Sequence, residues 1–246
     1  MIVHLAWFID GLKYLRKVTD HVVIIDALRC SATIVTALEH SVRSIIPVER
    51  VEDGLLLKKR FSRALLSAEV DAVKVPDADV GNSPTKVREI LSRKRYDVMI
   101  IRTSAGARAI KKALSLGFKT VVIGTFLNAR AVARYLANRA SSVGILCAGY
   151  KGKYFAIEDF LAAGAIVGEL FSLLGHLNPE DQALASHLAF KSAKDSLIDV
   201  ILMGRSARRL VEIGEEYDIQ ESIRMNVSEV VPVAFKNEIR DASALI

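Results

Sequence analysis

An acid and an arginine follow the most apolar strand-like run of the chain. The run at 22–25 leads directly into Asp26, and Arg29 and Ser31 come shortly after. A continuous apolar run is typical of a strand buried on both faces, as in a parallel sheet. Asp26 and Arg29 are therefore candidate reactive groups at the carboxyl end of a central strand, and Ser31 would start a helix whose free N–H groups can hold an anion. The alternative, equally open from these residues alone, is that Asp26 caps the turn and Arg29 pairs with it.

Three later strand-like runs also end in small, hydroxyl or basic residues. The residues concerned are Thr103, Ser104, Gly106 and Arg108 after the run at 98–101, Asn128 after the run at 120–123, and the stretch 147–152 after the run at 143–147. Because ligands of open α/β folds bind at the carboxyl ends of the strands, we expect these junctions to share one edge of the sheet. Glycines let backbone N–H groups approach an anion, hydroxyls add donors, and arginines add forked ones. Each junction alone is typical of an ordinary turn, but together they favour a phosphate or sulfonate site.

Carboxylates that could accompany such a site lie in two further places. Glu69 falls in a long loop predicted for residues 68–84, and Glu158 and Asp159 open the helix after the stretch 147–152. A few carboxylates, together with water and phosphate oxygens, are the usual ligands of Mg²⁺. The alternative for Glu158 and Asp159 is that acids favour the first turn of any helix. The five histidines have no metal-ligand spacing, and the sequence contains no glycine-rich nucleotide-binding motif and no nucleophile elbow.

The elements that must hold these groups alternate between strand and helix. Strands are predicted at residues 1–8, 22–26, 44–48, 98–101, 120–123 and 143–147, with only a short basic segment between the first two. Helices are predicted at 31–40, 51–66, from 84 onward, and at 106–116, 129–139, 157–174, 180–203 with a break, and 206–213. Such alternation implies right-handed crossovers and a mostly parallel sheet, so the expected class is α/β. A last strand at 230–234 contains Pro232 and is expected at the sheet edge, because proline cannot donate to a central ladder.

The bulk composition fits one α/β domain over residues 1–246 that acts on a small anionic ligand. Lysines and arginines exceed acids by six, but they are scattered, and aromatic residues make up only 7%. This pattern favours solvated helix faces over a nucleic-acid surface. No apolar run approaches the roughly 18 residues that span a bilayer, so no membrane partner is expected. Cys30 and Cys147 follow apolar strands and predict a reducing cytoplasm, and the apolar first strand leaves room for a homodimer.

Several segments in the same order resemble the 2-phosphosulfolactate phosphatases of coenzyme M biosynthesis. The similar segments are D-A-L-R-C-S-A-T-I-V at 26–35, V-G-N-S-P at 80–84, T-S-A-G at 103–106, G-T-F-L-N-A at 124–129, C-A-G at 147–149 with E-D at 158–159, and V-P-V at 231–233. The segments span most of the chain. Any one of them is weak, but so many ordered matches are specific.

The resemblance implies a ComB-like, three-layer α/β/α fold and a Mg²⁺-dependent hydrolase that removes phosphate from a small sulfonated phosphoester. It makes Asp26 the carboxylate at the reacting phosphorus, as nucleophile, base or metal ligand. Arg29 and the hydroxyls would stabilise the phosphoryl oxygens, with the remaining motif residues shaping the pocket; this phosphate-binding set is Ser31, Thr33, Asn82, Ser83, Thr103, Ser104, Gly106 and Asn128. Metal ligands would come from Glu69, Glu158 and Asp159. From chemistry alone, Arg108 could hold the distal sulfonate or carboxylate of the substrate.

The chain departs from the family pattern at several motif positions. Val70 stands where an arginine is usual, Ala105 where an asparagine is usual, and Asn226 where an aspartate is common. Arg102, at a position that is usually not basic, could partly replace the missing arginine. The departures support a second hypothesis, in which a substrate-shifted or inactive family member binds a small anion. A nucleic-acid-associated protein is a third, suggested only by the positive charge.

Overall fold

The computed structural model describes residues 1–245, and strands alternate with helices along most of the chain. The strands are β1 (Ile2–Trp7), β2 (His21–Ile25), β3 (Ser44–Val48), β4 (Ala64–Val70), β5 (Val73–Lys74), β6 (Val98–Arg102), β7 (Thr120–Ile123), β8 (Ser142–Cys147), β9 (Asn178–Pro179), β10 (Pro232–Phe235) and β11 (Glu238–Asp241). The helices are α1 (Phe8–Val18), α2 (Ala32–Glu39), α3 (Val51–Lys58), α4 (Pro84–Arg93), α5 (Gly106–Ser115), α6 (Ala129–Ala137), α7 (Ile157–Leu174), α8 (Asp181–Ala193), α9 (Leu197–Leu202), α10 (Arg205–Glu212) and α11 (Tyr217–Ser222). The α/β class expected from the sequence is confirmed.

The strands form one mostly parallel sheet in the order β5-β4-β6-β3-β11-β10-β7-β2-β8-β1-β9. Two blocks are internally parallel, β4-β6-β3 on one side and β7-β2-β8-β1-β9 on the other. The antiparallel hairpin β10–β11 lies between them and pairs antiparallel with both β7 and β3. The sheet is therefore two parallel blocks joined by a hairpin from the end of the chain.

The hairpin changes how the strand ends come together. Three successive antiparallel pairings reverse strand direction, so a flat sheet would put the carboxyl ends of the two blocks on opposite edges. Yet the backbone N–H of Gly106, which follows β6, donates to Asp26 Oδ2, which follows β2, at 2.8 Å. The sheet must therefore twist strongly across the hairpin. The expectation that the strand ends share one edge of the sheet was wrong, because the carboxyl ends of two separate blocks face each other instead.

Helices cover both faces of the sheet and make three layers. Val22 and Ile24 of β2 pack in a core cluster with residues of α1, α2, α4 and α5. Val23 and Ile25, which point the other way, pack with α6 and α7. On that second face α3 covers the smaller block, where its Gly54 lies against Leu66. No helix of residues 1–245 is both long enough and apolar enough to cross a membrane.

The helix predicted for residues 51–66 was wrong in its second half. Helix α3 ends at Lys58, and the chain then forms β4, so the loop predicted for 68–84 also starts too early. Leu65 and Leu66 pack in core clusters on opposite faces of the sheet, which successive residues do in a strand and not in a one-sided helix. Short apolar runs are ambiguous between these two structures in sequence.

Two other elements differ from the expectations. The segment predicted as short and basic is α1, an amphipathic helix that buries Leu12 and Leu15 and leaves Lys13 and Lys17 exposed. The strand with Pro232 is internal, not at the edge, since β10 lies between β7 and β11. Pro232 is tolerated there because it is the first residue of β10, and pairing with β7 begins only at Val233.

Candidate active site

A cleft of about 610 Å³, including its open mouth, lies where the ends of the two strand blocks meet. From the predicted site its lining includes Asp26, Arg29, Glu69, Thr103, Ser104, Glu158 and Asp159. These residues come from the ends of β2, β4 and β6 and from the start of α7.

Asp26 is held at the cleft by backbone N–H groups. Its Oδ2 accepts from Gly106 N at 2.8 Å, at the first turn of α5. The backbone N–H of Cys30 also favours the ionised carboxylate. The backbone N–H of Asp26 in turn donates to Ser31 Oγ at 3.0 Å, so Ser31 fixes the turn that presents the acid. The alternative from the sequence is not what the structure shows, because the Asp26 side chain makes no capping hydrogen bond to the following turn and Arg29 pairs with other acids.

Burial, which is the largest cause, and the neighbouring acids Glu69 and Glu158 together raise the pKa of Asp26 to about 7. The N–H groups of Gly106 and Cys30 oppose this rise, because they favour the charged form. A carboxyl group that titrates near neutral pH beside a cleft is a candidate for acid, base or nucleophilic chemistry.

Glu158 and Asp159 are buried at the start of α7, but their bonding differs. Asp159 accepts from Ala27 N and from Gly149 N, each at 2.8 Å, and so ties two strand-end turns together. Glu158 is 1% exposed, and its Oε2 has no hydrogen-bond partner among the described residues. Burial raises the pKa of both groups. Glu158 is therefore the carboxylate of the pair with a free oxygen for a ligand.

The guanidinium of Arg29 is engaged by three carboxylates of the protein. Its Nη1 donates to Glu215 at 2.5 Å and to Asp218 at 2.7 Å, and its Nη2 donates to Glu69 at 2.5 Å and to the Ala72 carbonyl at 3.0 Å. Four of its five N–H donors are thus used within the protein. Arg29 therefore has a structural role, because it connects the segments that form the cleft wall.

Several predicted phosphate-binding residues lie behind the cleft and bond to the protein itself. Thr33 Oγ1 donates to the Asn82 carbonyl, the Asn82 side chain bonds Ser67 and the Arg102 carbonyl, and Ser83 caps α4 and donates to Asp218. The Asn128 amide bonds the backbone of Thr125, Ile123 and Val230. With Ser31, these residues do not line the cleft; their hydroxyls and amides satisfy buried backbone groups instead.

The basic residues predicted for the site lie elsewhere. Arg108 is exposed on α5 and does not line the cleft. The structure therefore does not support a role for Arg108 in binding the distal sulfonate or carboxylate of the substrate. Helix α5 turns this position outward, while its neighbours Ala107 and Ala109 are buried. Arg102 donates to the main-chain carbonyls of Glu49 and Glu69 and supports the strand ends from behind.

The departures from the family pattern fall at different distances from the cleft. Ala105 lines it, so the amide usual in the family is missing from the site itself. Val70 is half exposed on the β4–β5 hairpin and does not line it. Asn226 is part of the support of α6, since its side chain donates to Glu169 at 2.5 Å and accepts from Arg130 N at 2.8 Å. Two of the three departures are thus remote from the cleft.

Sequence reasoning missed the charged residues at the cleft mouth. Asp71, Lys151 and Arg209 line it, with Tyr150 and Ser206 beside them. Nothing in the local sequence separates Lys151 or Arg209 from the other scattered basic residues. A hint is the run C-A-G-Y-K-G, where Lys151 comes four residues after the end of β8.

The donor set at the base of the cleft fits Mg²⁺ better than a softer metal. Asp26, Glu158 and Asp159 offer only hard oxygens, and Glu158 Oε2 is buried without a partner among the described residues. No group of three or more histidine, cysteine or acidic side chains within residues 1–245 has the spacing of a closed metal site. Mg²⁺ does not require one, because it keeps several waters and is usually held by one or two carboxylates plus substrate phosphate.

Comparison with known proteins finds similar sequences that cover most of the chain. The model of the family described as 2-phosphosulpholactate phosphatase matches residues 9–237. A probable 2-phosphosulfolactate phosphatase of Caldanaerobacter subterraneus is 36% identical over 86% of both chains. Proteins of the same name from Carboxydothermus hydrogenoformans and Thermotoga petrophila are 33% and 34% identical, over 94% and 85% of this chain and 95% and 87% of theirs. The chain belongs to the 2-phosphosulfolactate phosphatase family, whose members are phosphoric monoester hydrolases.

Proposed function

We propose that this protein is a Mg²⁺-dependent phosphatase that hydrolyses 2-phosphosulfolactate to sulfolactate and phosphate. The observation that carries the proposal is Asp26, a carboxylate at the base of the cleft with a pKa raised to about 7 and oriented by the backbone N–H of Gly106. The names of the relatives supply the substrate.

The charges in the cleft support the need for a divalent cation. Five carboxyl groups line it among the described residues: Asp26, Glu69, Asp71, Glu158 and Asp159. Three cations line it as well, Arg29, Lys151 and Arg209. When all are ionised the lining carries two excess negative charges, which would repel an anionic phosphoester. Glu158, with Asp26 or Asp159, would hold Mg²⁺, and the bound ion would supply charge neutralisation for the phosphoryl oxygens.

The residues of the chain position the reacting group. Asp26 acts as the carboxylate at the phosphorus, and Thr103 and Ser104, which line the cleft where β6 ends, donate to the phosphoryl oxygens. In the overall reaction the bond from phosphorus to the substrate oxygen breaks. Water supplies the new oxygen of phosphate, and a proton passes to the departing alkoxide. Positioning and electrostatic stabilisation supply most of the rate in such transfers.

The test is a phosphate-release assay on 2-phosphosulfolactate with Mg²⁺ and with EDTA, using wild type, Asp26→Asn and a fold check by circular dichroism. Asn keeps an oxygen that can accept from Gly106 N, so Asp26→Asn is expected to fold and to lose at least about a thousandfold in kcat. EDTA is expected to abolish turnover by the wild type.

Two results would count against the proposal. If turnover persists in EDTA, the proposed dependence on Mg²⁺ is wrong. Failure to release phosphate from 2-phosphosulfolactate, combined with thermal stabilisation by that compound, would support the alternative of an anion-binding family member.

A further inference from the structure

An ion pair bridges the mouth of the cleft. Lys151 Nζ lies 2.7 Å from Asp71 Oδ1, and the two side chains are 41% and 57% exposed. Asp71 is in the turn between β4 and β5, in the smaller strand block, and Lys151 follows β8, in the larger one. Arg209 of α10 donates from Nε to the main-chain carbonyl of Asp71 at 3.3 Å. Asp71 thus binds Lys151 through its carboxylate and Arg209 through its main-chain carbonyl at the entrance.

The stability of the fold gives little reason for this arrangement. An exposed ion pair adds little to folding, since water screens it and two long side chains must be ordered. At Asp71 and Ala72 positive φ, 52° and 67°, belongs to the two-residue turn of the β4–β5 hairpin, but Lys151 also has positive φ, at 55°. Residues other than glycine are uncommon there and occur preferentially at functional sites.

The other arginines of the region are not free to bind a ligand. Arg29 has four of its five donors engaged by the protein, Arg102 donates to main-chain carbonyls, and Arg108 points away from the cleft. Lys151 and Arg209, by contrast, line the cleft and are partly exposed, and their carboxylate partners, Asp71 and Glu212, are exposed as well. Asp26 and Glu158 lie at the inner end, so the two cations face the part of a substrate farthest from the reacting phosphate.

We propose that Lys151 and Arg209 form the subsite for the sulfonate of the substrate, and that Asp71 competes with the sulfonate for them. The proposal rests on the proposed function and deepens it. In 2-phosphosulfolactate the sulfur lies one bond farther from the phosphoester carbon than the carboxyl carbon does, so the sulfonate is the group that reaches the mouth. A lysine and an arginine together match the three oxygens of a sulfonate, and the substrate replaces the Asp71 carboxylate as the partner of Lys151.

The experiment compares 2-phosphosulfolactate with 2-phospholactate, which lacks only the sulfonate. Phosphate release gives KM and kcat for wild type, Lys151→Met, Arg209→Met and the matched controls Lys153→Met and Arg208→Met, both exposed and outside the cleft lining. Lys151→Met and Arg209→Met are each expected to raise KM for 2-phosphosulfolactate at least about tenfold, with kcat changed less than about twofold. Their KM for 2-phospholactate, and both constants of the controls, are expected to stay at wild-type values.

Asp71→Asn distinguishes two roles of the ion pair: competition of Asp71 with the sulfonate, and a structural latch that holds the mouth of the cleft together. Asn is well tolerated at positive φ, so the turn is retained. Competition predicts that this variant lowers KM for 2-phosphosulfolactate, by about threefold. A latch that merely holds the mouth together predicts the opposite sign, the same as for Lys151→Met.

The outcomes that overturn the subsite differ from those that overturn the proposed function. The subsite is wrong if KM rises equally for both substrates, which would point to the carboxylate, or if Asp71→Asn raises KM. If wild type hydrolyses neither compound, the proposed function fails. Calorimetric binding of sulfolactate against lactate then still tests the subsite, which requires wild type to prefer sulfolactate and Lys151→Met to lose that preference.

Discussion

The close approach of Asp26 to the first turn of α5 depends on the absence of a side chain at position 106. A Cβ on Gly106 would lie 2.7 Å from Asp26 Oδ2 and 2.6 Å from Cys30 Sγ, closer than real Cβ atoms come. The positive end of α5 favours the ionised carboxylate, so this contact opposes the effect of burial. Glycine is therefore required here by packing, and the packing sets both the position and the charge of the acid.

Gly106→Ala is expected to displace Asp26 and lower kcat about a hundredfold, since small misplacements of a reacting group are costly. The overpacking should also lower the free energy of unfolding by about 1–3 kcal/mol. Urea denaturation and phosphate release measure both effects. Gly81→Ala is the control, because its Cβ would meet only ordinary contacts, the nearest being Lys74 Cβ at 3.6 Å. Similar losses in the two variants would show that the contact with Asp26 is not special.

The pKa of Asp26 predicts how activity depends on pH. Because burial raises this pKa to about 7, the carboxylate is protonated below that pH and ionised above it. If Asp26 acts in its ionised form, kcat/KM falls as the pH is lowered through the pKa of the free enzyme. Added Mg²⁺ favours ionisation and should move this acid limb to lower pH. A limb that Mg²⁺ leaves in place would assign the titration to another group.

At the scale of elements, Arg29 joins three parts of the chain. Its guanidinium connects the turn after β2 to Glu69 at the end of β4 and to Asp218 in α11. Asp218 also accepts from Ser83 Oγ and Thr85 N at the start of α4. The arginine side chain is 2% exposed, so these charges interact with little screening by water. The cleft wall is thus held by one buried network.

Arg29→Met leaves Glu69 and Asp218 without their cation, whereas Glu215 keeps Lys86, and the change is expected to cost about 3–5 kcal/mol of unfolding free energy. The loss should shrink at low pH, where the carboxylates can protonate. Urea titrations at two pH values measure this. Arg88→Met is the matched control, because Arg88 pairs with Glu221 of α11 at a partly exposed position and should cost no more than about 1 kcal/mol. A variant of Arg29 as stable as the control would mean that the network contributes nothing.

The parts of the site that follow strands could be predicted from sequence, because an acid or hydroxyl after a buried run has a local signal. Asp26, Thr103 and Ser104 were found in this way and line the cleft. The mouth could not be predicted, because its contacts are long-range: Arg209 meets Asp71 across 138 positions. The helix predicted for residues 51–66 extended into the start of β4 for a related reason, since the packing of Leu65 and Leu66 on opposite faces exists only in the folded sheet.

At the scale of the whole molecule, the hairpin β10–β11 determines where the site can form. It separates two parallel blocks, and the twist across it brings the end of β2 to the start of α5. The cleft therefore has one wall from each block, and the acids gathered between them come from segments as distant as Asp26 and Glu158. Asp26, Glu158 and Asp159 come from the larger block and Glu69 and Asp71 from the smaller one, so the site concentrates negative charge from both.

This concentration of charge predicts a link between metal, pH and stability. Burial raises the pKa of Asp26, Glu158 and Asp159, so between their unfolded and folded pKa values the folded protein binds protons that the unfolded chain does not. Without a cation, the contribution of these groups to stability therefore falls as the pH rises through that window. If Mg²⁺ binds the ionised groups, as proposed, the rise in Tm on adding it should be larger at about pH 8 than at about pH 5.

Calorimetric scans with Mg²⁺ and with EDTA at the two pH values measure this difference. Glu158→Gln should reduce the Mg²⁺ shift, because it removes the charge of the carboxylate with the unpartnered buried oxygen. Glu229→Gln, a surface change at a residue paired with Arg134, should keep the shift of the wild type. If Mg²⁺ stabilises Glu158→Gln as much as wild type, the ion is not held at the start of α7. An equal shift at both pH values would mean that the buried acids do not take part in binding it.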